Sequence, residues 1–145
     1  MAEETKAHVL LVDDEKKFLD ILSQRLQVYG VKADTATSGE DAIEKVKSKV
    51  FDAIILDLVM PGIGGIETLK RIRKENPDLQ IIILSGHGTV EKTVEAMKEG
   101  AMDFLEKPSD LNKLLDKIGE AKNKRILLVM KEIEEKVKKG ARRRL

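Results

Sequence analysis

Cysteine and tryptophan are both absent from this sequence. Without thiols there can be neither a disulfide framework nor a thiolate metal site. Aromatic residues are few, three Phe and one Tyr in 145 residues, so a packed interior has to be built mostly from Ile, Leu, Val and Ala. No apolar run is long enough to span a bilayer, and the opening Met1-Ala2-Glu3-Glu4-Thr5-Lys6 is acidic and polar, unlike a signal peptide. The chain therefore reads as soluble and intracellular, in the cytoplasm. A dominant charge sign is missing too. Charged residues make up 37% of the chain, yet 27 basic residues stand against 26 acidic ones, for a net charge of +1. That balance gives no electrostatic reason to expect nucleic acid as the main partner, and no membrane contact is expected. The length suits one domain of ordinary size with a real core.

What is present is an alternation. Short apolar runs at 9–12, 31–36, 51–56, 79–84 and 103–106 are each followed by a segment of helical period. After the first run, Phe18, Ile21, Leu22, Arg25, Leu26 and Tyr29 recur at helix spacing, and Gly30 terminates the segment. The second run is weaker and more polar, as an edge strand should be. Ser38-Gly39-Glu40-Asp41 resembles a capping box opening the next helix. Pro61-Gly62 and Gly64-Gly65 mark an irregular loop before a helix around 69–75. The pattern predicts an α/β fold, a parallel sheet with helices on both faces joined by right-handed crossovers.

Charged positions stand where these runs end: Asp13-Asp14 after the first, Asp57 after the third, Lys107 after the fifth. In one parallel sheet they would share the carboxyl edge, where open α/β sheets place their ligands. Three carboxylates beside a lysine repel one another unless a cation joins them, which suggests a magnesium-assisted phosphate site. Each residue alone also has a plain reading: a helix-capping acid, a turn residue, an exposed charge. With Ser85 ending the fourth run, coincidence becomes the poorer account of the set.

On these residues the sequence resembles the receiver domain of the bacterial two-component response-regulator family. The resemblance covers about the first 120 residues. It rests on Asp13-Asp14, on Leu56-Asp57-Leu58-Val59-Met60-Pro61-Gly62, on Ser85 followed by Gly86, on Phe104, and on Lys107-Pro108, all in order and spacing. The stretch from Ser85 to Pro108 is most similar to receivers of the nitrogen-regulation type.

The resemblance implies a flavodoxin-like (βα)5 fold with strand order 2-1-3-4-5. It implies that Asp57 accepts a phosphoryl group from a histidine of a sensor kinase or phosphotransfer protein. Asp14, Asp57 and the Val59 carbonyl would hold magnesium, with Asp13 acting mostly through water. Lys107 would pair with one phosphoryl oxygen, its link to Pro108 being cis, and Ser85 would donate its hydroxyl to another. As the Ser85 loop moves inward, Phe104 would turn from exposed to buried and reshape the surface of the fourth helix, fifth strand and fifth helix. Phe104 as plain core is the alternative. Val59 offers no polar side chain to orient a hydrolytic water, so self-dephosphorylation is expected to be slow. His87 is read either as a partner of that water or as a solvent-facing loop residue, and His8 as a strand-edge residue.

On this reading the chain is a signalling module and not an enzyme in the ordinary sense. A magnesium-dependent phosphohydrolase of the haloacid-dehalogenase kind also forms an aspartyl phosphate, but it needs an Asp-x-Asp nucleophile directly after the first strand and generally a cap domain. Here Leu58 and Val59 follow Asp57. A flavin-binding reading is weaker, because Asp13-Asp14-Glu15 would repel the flavin phosphate.

From Ser109 onward the chain reads as helix almost to its end, uninterrupted by proline. Residues 1–120 are expected to form the receiver and 121–145 a C-terminal helical extension with a basic tail. Ile126, Val129, Met130, Ile133 and Val137 recur at spacings of 3, 1, 3 and 4, beyond the point where a core should stop. Such a stripe suggests a homodimer through this helix, a fold-back onto its own domain, or a signalling helix leading to an output domain for which this chain has no room. The basic tail lacks interleaved aromatics, so nucleic-acid binding by this chain alone is not expected.

Overall fold

The computed structural model describes residues 6–86 and 89–144, with side chains described as far as Ala141. The expected alternation is present: β1 (Ala7–Val12), α1 (Lys16–Val28), β2 (Val31–Ala36), α2 (Gly39–Ser48), β3 (Ala53–Leu56), α3 (Gly64–Glu75), β4 (Gln80–Ser85), α4 (Val90–Lys98), β5 (Asp103–Glu106) and α5 (Leu111–Arg144). All strand pairs are parallel, in the order β2-β1-β3-β4-β5. This is the flavodoxin-like architecture, with β2 at one edge as its polarity required.

The near-continuous apolar runs are explained by burial on both faces. Leu10, Val12, Ile54, Leu56, Ile81 and Ile83 point to the side covered by α2, α3 and α4 through Ala42, Val46, Leu69, Ile72 and Ala96. Their neighbours Val9, Leu11, Ala53, Ile55, Ile82 and Leu84 meet Leu19, Leu22 and Leu26 of α1 and Leu114, Ile118 and Ala121 of α5. Side chains that alternate across a strand therefore serve two separate cores. Each fully buried Leu or Ile contributes about 1.5–3 kcal/mol, so the sheet interior is the main source of stability.

Local signals act largely as read. Gly30 adopts φ +78° after α1, and the Ser38 hydroxyl accepts a 3.1 Å hydrogen bond from the Asp41 amide at the start of α2. One boundary differs: α3 begins at Gly64, five residues before the expected start at 69. Gly64 has φ +77°, and a Cβ on Gly65 would stand 2.4 Å from the Leu58 Cα. The two glycines that read as loop markers thus let a helix begin hard against the end of β3.

Helix α5 runs for 34 residues. It stays packed through Ala121, and Arg125 then pairs with Asp52 at 3.2 Å while Lys122 reaches the Lys6 carbonyl. Beyond Arg125 the apolar residues Ile126, Leu127, Met130, Ile133 and Val137 are exposed. The fold-back reading therefore describes only the segment up to Arg125. Among the described residues no helix is long and apolar enough to cross a membrane.

Candidate functional site

The carboxyl edge of the sheet is built by ladder bonds that continue one step past the strands. The Asp57 amide donates to the Val12 carbonyl at 3.0 Å, the Asp13 amide to Ala36 at 3.1 Å, and the Lys107 amide to Ser85 at 2.8 Å. Register alone therefore draws Asp13, Asp57, Ser85 and Lys107 together from the ends of four different strands. Asp14 stands beside them, exposed at the rim.

Asp13, Asp14 and Asp57 each offer a carboxylate oxygen, all within 4.8 Å of one another. Asp13 and Asp57 are buried. Lys107 Nζ hydrogen-bonds Asp13 Oδ2 and lies 3.7 Å from Asp57 Oδ2. The other oxygen of Asp57, Oδ1, accepts from the Ser85 hydroxyl at 2.7 Å and from the Val59 amide at 3.2 Å. Asp13 does not cap α1. Its Oδ1 accepts from the Glu15 amide at 2.9 Å, while Glu15 itself occupies the cap position without a side-chain bond.

Burial pushes the Asp13 carboxyl above the usual aspartate range, only partly opposed by the Lys107 hydrogen bond and the Glu15 amide. For Lys107 burial works against the charge, but the hydrogen bond to Asp13 and the charges of Asp13, Asp57 and Glu15 outweigh it and hold its pKa above the ordinary lysine value. Three carboxylates face a single ammonium in this cluster, a surplus of two negative charges. An all-oxygen donor set with that surplus fits a hard divalent cation such as magnesium.

The loop after Asp57 is tied from outside the sheet. Glu40 Oε1 accepts from the Ile63 amide at 3.1 Å, joining the start of α2 to the turn that leads into α3. Val59 is half exposed, at 51%. Phe104 is also half exposed, at 50%, and so is not a plain core residue. It borders a cavity of about 490 Å³ lined also by Ser85, Thr89, Val94 and Met97. The Lys107-Pro108 peptide is cis. His87 lies outside the described residues. His8 is away from the site. It stands on an inner strand, its ring edge packed against Phe51 at 4.8 Å and its Nε2 3.2 Å from Asp34.

Two contributors escaped the sequence. Gly65 read as a loop glycine, and Phe18 as one apolar position of α1. The Phe18 ring in fact lies under Lys107 Nζ, 4.2 Å from the ring centroid. No local pattern marks such a contact, and the glycine pair marked only a loop, not the close approach of α3 to the Leu58 backbone.

Comparison with known proteins gives a consistent result. The profile of the response regulator receiver domain matches residues 9–119. The transcriptional regulatory protein ZraR of Klebsiella oxytoca is 41% identical over 113 residues, covering 78% of this chain and 26% of that protein. FixJ of Bradyrhizobium diazoefficiens is 36% identical over 117 residues, covering 81% of this chain and 57% of that one. The chain thus spans about a quarter of the ZraR relatives it matches. Among solved structures, a receiver domain protein from Clostridium thermocellum superposes with a TM-score of 0.80 at 34% identity, covering 84% of this chain and 98% of that one. NtrX from Brucella abortus gives 0.80 at 30% identity, over 90% of this chain and 30% of that one.

Proposed function

The chain belongs to the response regulator receiver domain family, and from that premise we propose that it is a phosphorylation-controlled switch with Asp57 as phosphoacceptor. The observation that carries this reading is the environment of Asp57, with two further carboxylates within 4.8 Å, a lysine on one oxygen and a hydroxyl on the other. A carboxylate oxygen of Asp57 attacks phosphorus, and the bond to the donor histidine nitrogen breaks with its electron pair going to the imidazole. Asp14, Asp57 and the Val59 carbonyl would hold magnesium, with Asp13 through water. Bound there, the ion would neutralise charge between the carboxylates and the incoming phosphoryl oxygens.

The chain's own side chains supply the rest. Lys107, already drawn to both Asp13 and Asp57, transfers to a phosphoryl oxygen. Ser85 gives up Asp57 Oδ1 and donates to the arriving group instead. That movement opens the way for Phe104 to leave solvent for the neighbouring cavity, changing the α4–β5–α5 face. Hydrolysis is slow, because Val59 has no group to orient water. The donor is a sensor histidine kinase or phosphotransfer protein, and the setting is cytoplasmic.

Residues 1–120 form the switch and 121–145 the transmitting extension, joined by one unbroken helix. Ile126, Met130, Ile133 and Val137, exposed at spacings of 4, 3 and 4, support homodimerisation through that helix. Sedimentation showing only monomer at high concentration removes the dimer.

Intact-mass analysis after incubation with a sensor kinase, ATP and magnesium tests the central reading. One phosphoryl group per chain is expected on the wild type, and none on Asp57→Asn or Asp57→Ala. A phosphorylated Asp57→Asn chain would refute it.

A further inference from the structure

Besides its acidic neighbours Lys107 has an uncharged one, the ring of Phe18. Its Nζ stands 4.2 Å from the centroid of the Phe18 ring, well inside the range of about 6 Å over which a cation is attracted to an aromatic face. Phe18 lies in the first turn of α1, so the ring reaches the site from the helix that follows the acidic pair. It is partly buried against the core shared by α1 and α5. It also walls a groove with Leu22, Leu84, Pro108 and Leu111, which restricts where the ring can go. The ammonium is therefore bounded by carboxylates and by the electron-rich face of a partly buried ring.

We propose that Phe18 is a positioning residue for phosphoryl transfer, its ring face holding the Lys107 ammonium where it can exchange Asp13 for a phosphoryl oxygen. A lysine stem is long and flexible, and its charge is strongly hydrated. Two carboxylates alone would tether it to the resting state. The ring supplies a neutral attraction that survives the exchange, so the lysine shifts locally without returning to water. An aliphatic side chain would fill the same groove but present no such face, and this separates positioning from simple packing. The proposal rests on the phosphoacceptor reading above.

Two measurements on the full chain test it. The first is the proton chemical shift of the Lys107 ε-methylene, which a ring current displaces upfield and which needs no phosphoryl transfer. Upfield resonances are expected in the wild type, Phe18→Tyr and Phe18→Trp, and ordinary lysine positions in Phe18→Leu and Phe18→Met. The second is the rate of phosphoryl uptake from a small acyl phosphate at saturating magnesium. It should fall about threefold to tenfold in Phe18→Leu and Phe18→Met, with magnesium affinity unchanged, and be retained within about twofold in the aromatic variants. Using two aliphatic variants guards against one of them failing to fold. Wild-type shift and rate in a folded aliphatic variant would reduce Phe18 to packing. Loss of the upfield shift at an unchanged rate would also overturn the proposal, since the ring would then touch the lysine without guiding it. A wild type that takes up no phosphoryl group defeats the functional reading itself, and the ring-current result then reports proximity alone.

Discussion

The Ser85 hydroxyl donates to Asp57 Oδ1 at 2.7 Å, and the Val59 amide shares that oxygen at 3.2 Å. Serine thus occupies one side of the carboxylate while Lys107 addresses the other. Hydrogen bonds to a charged acceptor are worth about 1.5–3 kcal/mol. Ser85→Ala is accordingly expected to slow magnesium-dependent phosphoryl uptake on the order of tenfold, with Ser85→Thr close to wild type. Time-resolved intact-mass analysis reads this directly, and an unchanged rate in Ser85→Ala would exclude the hydroxyl from the reaction.

Magnesium should stabilise the folded chain, because the proposed site would be lacking in the unfolded chain. At a concentration about 100 times its Kd the gain is about 2.7 kcal/mol. Asp13→Asn is expected to lose most of this gain yet to melt higher than wild type in chelator. The sign follows from burial, which raises the Asp13 pKa in the folded state. Ionised Asp13 then costs stability above its folded pKa, and stability recovers as pH falls through that value toward the unfolded one. Thermal melts with and without magnesium check both parts. An equal magnesium shift in Asp13→Asn counts against the site.

Glycines at different places should respond oppositely to alanine. A Cβ at Gly65 would meet the Leu58 Cα at 2.4 Å and the Asp57 carbonyl oxygen at 2.6 Å, both backbone atoms that cannot swing aside. Gly65→Ala is expected to cost about 1–3 kcal/mol and to weaken magnesium binding by displacing the end of β3. Gly119 lies inside α5 with nothing within 4 Å of its Cβ position. Gly119→Ala should gain about 0.5–1 kcal/mol. Urea titrations decide, and a neutral Gly65→Ala would mean that the helix start can relax.

At the opposite end of the sheet, Asp52 joins two elements. Its Oδ2 accepts from the His8 amide at 2.9 Å and its Oδ1 meets Arg125 at 3.2 Å, with both side chains largely shielded from water. A double-mutant cycle with Asp52→Ala and Arg125→Ala should give a coupling of about 1 kcal/mol, and faster amide exchange after residue 122 in either variant. Zero coupling would leave α5 held by its apolar face alone.

Acid sensitivity has a named source in Asp34. Burial opposes its charge, but the hydrogen bond from Lys49 at 2.7 Å and the His8 ring, its Nε2 3.2 Å away, outweigh it and lower its pKa. A depressed folded pKa means the unfolded chain binds the proton more readily. The contribution is therefore complete above the unfolded value, about 3.9, and is lost as pH falls through the folded one. The stability gap between wild type and Asp34→Asn should close as pH falls below about 4. A gap that persists into strong acid would assign the effect elsewhere.

The sequence by itself determined the alternation of strand and helix, the polar edge strand, the double burial of the central strands, and the placement of Asp13, Asp14, Asp57, Ser85 and Lys107 at or just beyond strand ends. These follow from local periodicity, which reports how each residue meets the nearest boundary between core and water. The beginning of α3 is not legible in the sequence, because Gly64 and Gly65 carry the same letters in a loop as at a tight helix start, and only the Leu58 backbone behind them distinguishes the two. Tertiary structure alone decided which oxygen of Asp57 takes the serine, that the Phe18 ring lies beneath Lys107, and that Arg125 closes on Asp52. The last pair is separated by 73 positions, and Lys107 and Asp13 by 94. Contacts at such range depend on the twist of the sheet and the angles of every helix packed between them, and side-chain chemistry one residue at a time contains neither.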